Sequence, residues 1–198
     1  MKDKIIQKAT EMFLKIGFKT VTMDDIACEM CISKKTIYKF FANKELLIEE
    51  GTDNVQNEIK NSIDAIVSHN KNAIEENFEI RKMFQNMFGN LDSSPLYQLK
   101  KHYPEIHVKL INRQCDECIE MFTENIKKGI LENLYRKKIN IDSVVKFYFG
   151  LLMNLNEKNI PEKDIQKLEY EAMEYHIRAI ATPEGIKELE KQLSNLNI

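Results

Sequence analysis

The sequence has little of what several large classes of function require. Its longest apolar stretch, Phe147 to Met153, is far short of the roughly 20 apolar residues that span a bilayer as a helix. Charges at Lys2, Asp3, Lys4 and Lys8 interrupt any early apolar run, so no secretory leader is expected. Four cysteines among 198 residues are too sparse for a disulfide framework and fit a reducing cytoplasm. The six glycines (Gly17, Gly51, Gly89, Gly129, Gly150 and Gly185) stand apart from one another, so no glycine-rich loop can cradle a phosphate. No Ser/His/Asp set and no paired carboxylates rise above the helical charge background, so neither an enzyme nor a bound cofactor is expected. There is no internal repeat, no low-complexity tract and no convincing alternating strand.

What is present is an ordinary globular composition, 43% apolar and 30% charged, with a net charge of only −2. Distribution matters more than the total. Residues 1–47 hold nine lysines against six acids, and the rest of the chain carries the acidic excess. A basic N-terminal quarter on an acidic body is compatible with a nucleic-acid contact at one end.

The apolar periodicity is helical throughout, which predicts an all-α fold. Ile6, Ala9, Phe13 and Ile16 form one face, with Asp3 as N-cap and Gly17 as the stop. Thr22-Met23-Asp24-Asp25 has the form of a capping box and opens a short helix to about Met30. Ser33 caps a third helix, expected to run to about Phe41 with Ile37, Phe40 and Phe41 inward. Asn43 caps a long fourth helix. Later helices are expected over 74–88, after Pro95, over about 104–134, from Asn140 or Asp142 through Leu155, after Pro161, and after Thr182-Pro183. The segment Val144–Leu155 is apolar nearly all round, and the helix after Pro161 carries two stripes. Such helices need cover on most sides, for which a second subunit is the economical source.

Residues 22–41 thus place a short helix, a tight turn and a second short helix in succession. This is the form of a helix-turn-helix, whose second helix enters the major groove of DNA. Its outward side chains, Lys34, Lys35, Thr36, Tyr38 and Lys39, suit phosphates and base edges. The same pattern also fits a solvated helical hairpin, and on residues alone both readings stay open.

Residues 5–47 resemble the N-terminal domain of TetR-type transcriptional repressors through Ile6, Ala9, Phe13, Gly17, Thr22, Ile26, Ala27, Ile32, Ser33, Thr36, Ile37, Tyr38, Phe41, Lys44, Glu45 and Leu47, all without a gap. Beyond about residue 50 only helix order and length are similar. The resemblance implies a DNA-binding domain at 1–47 and a helical ligand-binding and dimerisation domain at 48–198. It further implies a homodimer closed by the last two long helices, and release from double-stranded operator DNA by a small effector. The implied DNA-binding set is Thr22, Ser33, Lys34, Lys35, Thr36, Tyr38, Lys39 and Lys44. Two positions depart from the family: Cys31 replaces the turn glycine, and Lys35 replaces a small residue. A cysteine there strains the turn if its φ is positive.

The effector pocket is expected among Phe78, Met83, Phe84, Met87, Phe88, Tyr103, Met121, Phe122 and Phe147, because methionine and aromatics suit an adaptable apolar site. Few cations fall among them, which favours a neutral or cationic apolar ligand. The dimer seam is expected at Val144, Tyr148, Leu151, Leu152, Leu155, Ile165, Leu168, Met173 and Ile177 in a four-helix arrangement. The two CxxC pairs, Cys28/Cys31 and Cys115/Cys118, are read as packing residues and no metal is expected. The competing function is a thiol- or metal-responsive helical protein whose N-terminal hairpin only packs. Activation fits the same residues as repression.

Overall fold

A computed structural model describes residues 1–195 as ten helices; the expected C-terminal domain at 48–198 therefore extends past the described residues. The helices are α1 (Lys2–Ile16), α2 (Met23–Glu29), α3 (Lys34–Tyr38), α4 (Lys44–Ser68), α5 (Ala73–Phe88), α6 (Pro95–His102), α7 (Pro104–Leu131), α8 (Ile141–Asn156), α9 (Glu162–Ile180) and α10 (Pro183–Asn195). The all-α expectation holds. Among the described residues the sole β-type pairing is an isolated bridge between Tyr135 and Ala181.

The helix boundaries follow their local chemistry. Thr22 and Asp25 close a reciprocal capping box on α2, Ser33 accepts from the N–H of Thr36, and Asn43 accepts from the N–H of Leu46 at 2.9 Å. Gly17 ends α1 at φ +111°, a conformation that disfavours a side chain. The first N-cap is Met1 rather than Asp3. α3 stops at Tyr38, short of Phe41, and Phe40 is 42% exposed while Ile37 and Phe41 are buried. The chain turns after Tyr38, so the i+3 spacing no longer carries Phe40 inward.

Two cores organise the chain. The first gathers Ile5, Ala9, Phe13, Ile26, Ile37, Phe41 and Leu47 of the N-terminal helices. It also takes in Leu99, Ile106 and Leu110 of α6 and α7, so the expected 47/48 boundary lies inside α4 and the head core reaches across it. The second core joins α5, α7, α8, α9 and α10 through Ile74, Ile126, Tyr135, Val145, Leu155, Met173, Ile177 and Leu189. α7 passes close to its own exit loop at Gly129, where an added Cβ would stand 2.1 Å from the Tyr135 ring.

Candidate nucleic-acid interface and ligand cavity

α2, the turn at 30–33 and α3 form a helix-turn-helix. Its turn carries Cys31 at φ +54°, so a residue with a Cβ occupies the left-handed conformation where glycine costs least. Backbone bonds over-determine this turn: the Cys31 N–H donates to Cys28 O at 3.0 Å and the Ile32 N–H donates to Ala27 O at 3.0 Å.

Thr22, Ser33, Lys34, Lys35, Tyr38 and Lys39 are exposed on this head, and Thr36 and Lys44 are half-buried. Their local bonds differ. Lys34 Nζ reaches Asp24 Oδ2 at 2.8 Å and stands 6.0 Å from the Tyr38 ring centre; the bond to Asp24 raises the lysine pKa. The Thr22 hydroxyl and backbone N–H both donate to the Asp25 carboxylate and hold it below the usual carboxylate range. The hydroxyls of Ser33 and Thr36 lie 2.8 Å apart. Lys44 Nζ donates to Lys19 O at 3.3 Å and sits over the rings of Phe13 and Tyr103, at the junction of head and body.

Below the head, α4 to α9 line a partly open cavity of about 670 Å³ that also touches Phe13, Leu14 and Phe18 of the head. Of the nine residues expected in a pocket, Phe84, Phe88, Met121 and Phe122 line it. Met83 and Met87 do not: the lining face of α5 runs through Glu76, Asn77, Ile80, Arg81, Phe84 and Phe88. Phe78, rotated about 100° from Asn77, packs in the second core instead. Tyr103 packs against the first core, and its hydroxyl donates to Phe18 O at 3.2 Å. Phe147 is 77% exposed on the outer face of α8.

The expected seam residues divide by the same rotation. Tyr148 and Leu152 line the cavity, and Leu155, Ile165, Met173 and Ile177 are buried within the chain, so none of these six offers a surface to a partner. Val144 is half-buried. Leu151 and Leu168 are exposed beside Phe147 and Tyr175, and an added Cβ at Gly150 would meet nothing within 4 Å. Phe147, expected in the pocket, thus lies on the outer face, and Tyr148, expected at the seam, lines the cavity. Tyr175, which sequence did not single out, is 73% exposed, and its spacing of seven from Leu168 puts the two on one helical face.

Polar groups inside the cavity are mostly paired. Arg81 forms a buried ion pair with Glu169, which also accepts from Asn156 Nδ2 at 2.7 Å, and the Arg81 guanidinium lies 4.9 Å from the Phe84 ring centre. Lys128 pairs with Glu76, and Asn77 donates to Asn125 Oδ1 at 2.9 Å. Sequence reasoning missed these pairs, since nothing in a charge pattern tells a solvated arginine from one aimed inward.

The cysteines correct the packing expectation in part. Cys28 and Cys31 are exposed on the head, because α2 ends there and turns them outward. Cys115 and Cys118 are half-buried on α7, and burial pushes the Cys118 thiol up to about 11. Among the described residues no three His, Cys, Asp or Glu side chains group so as to hold a metal ion. His107 meets Glu157 at 3.1 Å, and His102 stands near Lys19 and Lys101. No helix among the described residues is long and apolar enough to cross a membrane.

A basic helix-turn-helix head on a helical body defines a DNA-binding regulator. Residues 5–50 match the family model of bacterial regulatory proteins, tetR family. The chain is 28% identical over 148 residues to the biofilm operon icaADBC HTH-type negative transcriptional regulator IcaR of Staphylococcus aureus (strain Newman), a match covering 75% of this chain and 69% of that one. The IcaR of Staphylococcus epidermidis is 27% identical over 110 residues, 56% of this chain and 53% of its own. A transcriptional regulator of Cytophaga hutchinsonii superposes with a TM-score of 0.75 at 21% identity, covering 91% of this chain and 98% of that one. A TetR-family regulator of Agrobacterium tumefaciens superposes at 0.71 with 13% identity, over 91% and 97%. Residues 5–50 thus carry a tetR-family DNA-binding domain, and the relatives and structural neighbours support a TetR-type transcriptional regulator.

Proposed function

We propose that this regulator is a repressor that holds operator DNA as a homodimer and releases it when a small apolar ligand enters the cavity. The observation that carries the reading is the position of the cavity. One set of walls belongs to α4, which begins in the head, and Phe13, Leu14 and Phe18 of the head reach the same space. A ligand there bears on the element that sets the spacing of two recognition helices, and DNA geometry fixes that spacing. A coupling of only about 1–3 kcal/mol suffices for a working switch. The negative regulation named for the staphylococcal relatives supports repression over activation.

In this reading residues 1–47 act as the DNA-binding unit and the remainder as the ligand and dimer unit. Thr22, Ser33, Lys34, Lys35, Thr36, Tyr38, Lys39 and Lys44 meet the operator, with Thr36 nearest the bases and the lysines on phosphates. The dimer closes through Phe147, Leu151, Leu168 and Tyr175, whose combined exposure on adjoining helices supports a self-complementary patch. The competing thiol-responsive reading is weakened at Cys118, because a thiol with a raised pKa holds little thiolate near neutral pH.

A gel shift with DNA from upstream of the protein's own gene tests the proposal. A salt-sensitive, sequence-selective complex is expected, lost in a Lys34/Lys35/Tyr38 triple alanine variant. Normal affinity in that variant removes the head from the DNA contact.

A further inference from the structure

The cavity's chemistry narrows its ligand, and this step rests on the ligand-gated reading above. Two residues that line the cavity each hold a buried polar atom without a hydrogen-bond partner: Gln56 Nε2 on α4 and Ser94 Oγ at the start of α6. Ser94 is fully buried at 0% exposure. It holds the N-cap position of α6, yet its hydroxyl makes no bond to the helix, and the residue belongs to the cavity wall. A serine that gives up its cap leaves a buried hydroxyl unsatisfied, which is costly unless something else bonds it.

Charge argues in the same direction. The two cations inside, Arg81 and Lys128, are already paired with Glu169 and Glu76. An anionic head group would have to break a buried ion pair to find a counter-charge. The exposed lining on α4 and α7 carries Asp64, Glu117, Glu120 and Glu124 against Lys60, which repels an entering anion. A cationic head fares no better within, because the inner carboxylates of Glu76 and Glu169 are the ones those pairs consume. The remaining wall, including Ile59, Ile63, Phe84, Met121 and Phe122, is apolar.

We propose that the cavity binds an uncharged amphiphile, whose aliphatic body lies along that apolar wall and whose hydroxyl or carbonyl head bonds Gln56 Nε2 and Ser94 Oγ once these buried side chains turn to meet it. The head supplies the acceptor that the glutamine amide lacks and either role for the serine. The body replaces water on apolar surface, which drives binding without a charge partner.

Three probes of equal chain length separate the classes: decanol, decanoate and decyltrimethylammonium. Binding to the full-length protein is read by titration calorimetry, which needs no operator. Decanol should bind at least about tenfold more tightly than either ion. Gln56→Leu and Ser94→Ala should each weaken decanol about fivefold, the loss of roughly one hydrogen bond. Each should leave the ligand-free melting temperature unchanged or raised, because it removes an unsatisfied buried group. Met121→Trp, which fills the apolar wall, should abolish binding. Tighter binding of either ion, no binding of decanol, or unchanged decanol affinity in both polar variants overturns the proposal. A gel shift run alongside distinguishes the two levels. If decanol binds as described but the operator complex persists, the ligand class stands and the release reading falls.

Discussion

The backbone N–H of Phe18, two residues past the end of α1, donates to the side chain of Gln98 on α6 at 3.0 Å. Tyr103, just past the end of α6, takes the other side of the same residue by donating to Phe18 O at 3.2 Å. Phe18 is 3% exposed, so these bonds are its defence against desolvation. They fasten the head to the body at a residue that also lines the cavity, and they would give the proposed switch a second route beside α4.

Removing the Gln98 acceptor should expose this joint. Gln98→Leu leaves a buried N–H unpaired and should cost about 1–3 kcal/mol of stability, whereas Tyr103→Phe should cost about 1 kcal/mol. Amide exchange at Phe18 should accelerate in the Gln98 variant more than at Ile5, deep in the same core. Unchanged protection at Phe18 would show that the head is held elsewhere.

On DNA, Lys35 and Lys39 should act through phosphates. Alanine at either position should weaken binding about equally across sequences and flatten the salt dependence by about one unit. Thr36→Ala should instead change the preferred base at one operator position by about 1–3 kcal/mol if its contact is direct. A base-selective effect from Lys39→Ala, or a uniform one from Thr36→Ala, reverses these roles.

The outer α8–α9 face predicts a clean separation of assembly from folding. Phe147 is 77% and Tyr175 73% exposed, so neither supports the chain's own core. Phe147→Asp with Tyr175→Asp should give a folded monomer by light scattering, with the helical circular dichroism of the parent. Tyr148→Asp should unfold the chain instead, because Tyr148 is buried. A dimer that survives the double aspartate variant places the seam on another face.

The contrast between Phe147 and Tyr148 marks where sequence stops being legible. Helix order, the capping box at Thr22 and the stop at Gly17 are written locally, in residues that bond their own neighbours, and these were readable. The head carried further information in its fixed spacing. In α8, however, apolar residues occur nearly all round, and periodicity names a face only when one face is polar. Which side meets the cavity and which meets solvent depends on how α8 leans on α7 and α9, and that is a tertiary fact. The orphaned Ser94 was hidden for a different reason. Its sequence setting, a serine before Pro95, is that of an ordinary N-cap, and only the fold shows that the hydroxyl makes no cap bond.

Acid should destabilise the chain through His176. Its ring stacks on Tyr148 at 4.2 Å, and burial depresses its pKa from 6.5 to about 4. Above pH 6.5 the imidazole is neutral in both states and contributes no pH dependence. As pH falls from there toward 4 the unfolded chain takes up a proton that the folded chain refuses, so stability declines across that window. The full effect is on the order of 3 kcal/mol. His176→Phe, which keeps the stacking and removes the titration, should flatten the denaturation midpoint between those pH values. An equally steep decline in that variant would assign the acid sensitivity to carboxylates.

The Arg81–Glu169 pair offers the sharpest test of how the cavity wall is held. Both side chains are under a tenth exposed, and Asn156 satisfies a second oxygen of Glu169. Removing one partner strands a buried charge, so Arg81→Met or Glu169→Gln alone should cost about 3–5 kcal/mol. Replacing both with apolar residues of similar size, Arg81→Met with Glu169→Leu, removes two desolvation penalties together with the attraction. It should recover most of that loss, even though Asn156 then lacks its acceptor. The double-mutant cycle should therefore show strong non-additivity in denaturant midpoints. The same variants bear on the ligand. A stranded Arg81 is a free cation on the cavity wall, so Glu169→Gln should raise the affinity for decanoate relative to decanol. If decanoate affinity stays flat while stability falls, Arg81 is turned away from the cavity, and the discrimination against anions arises from the acidic lining on α4 and α7 alone.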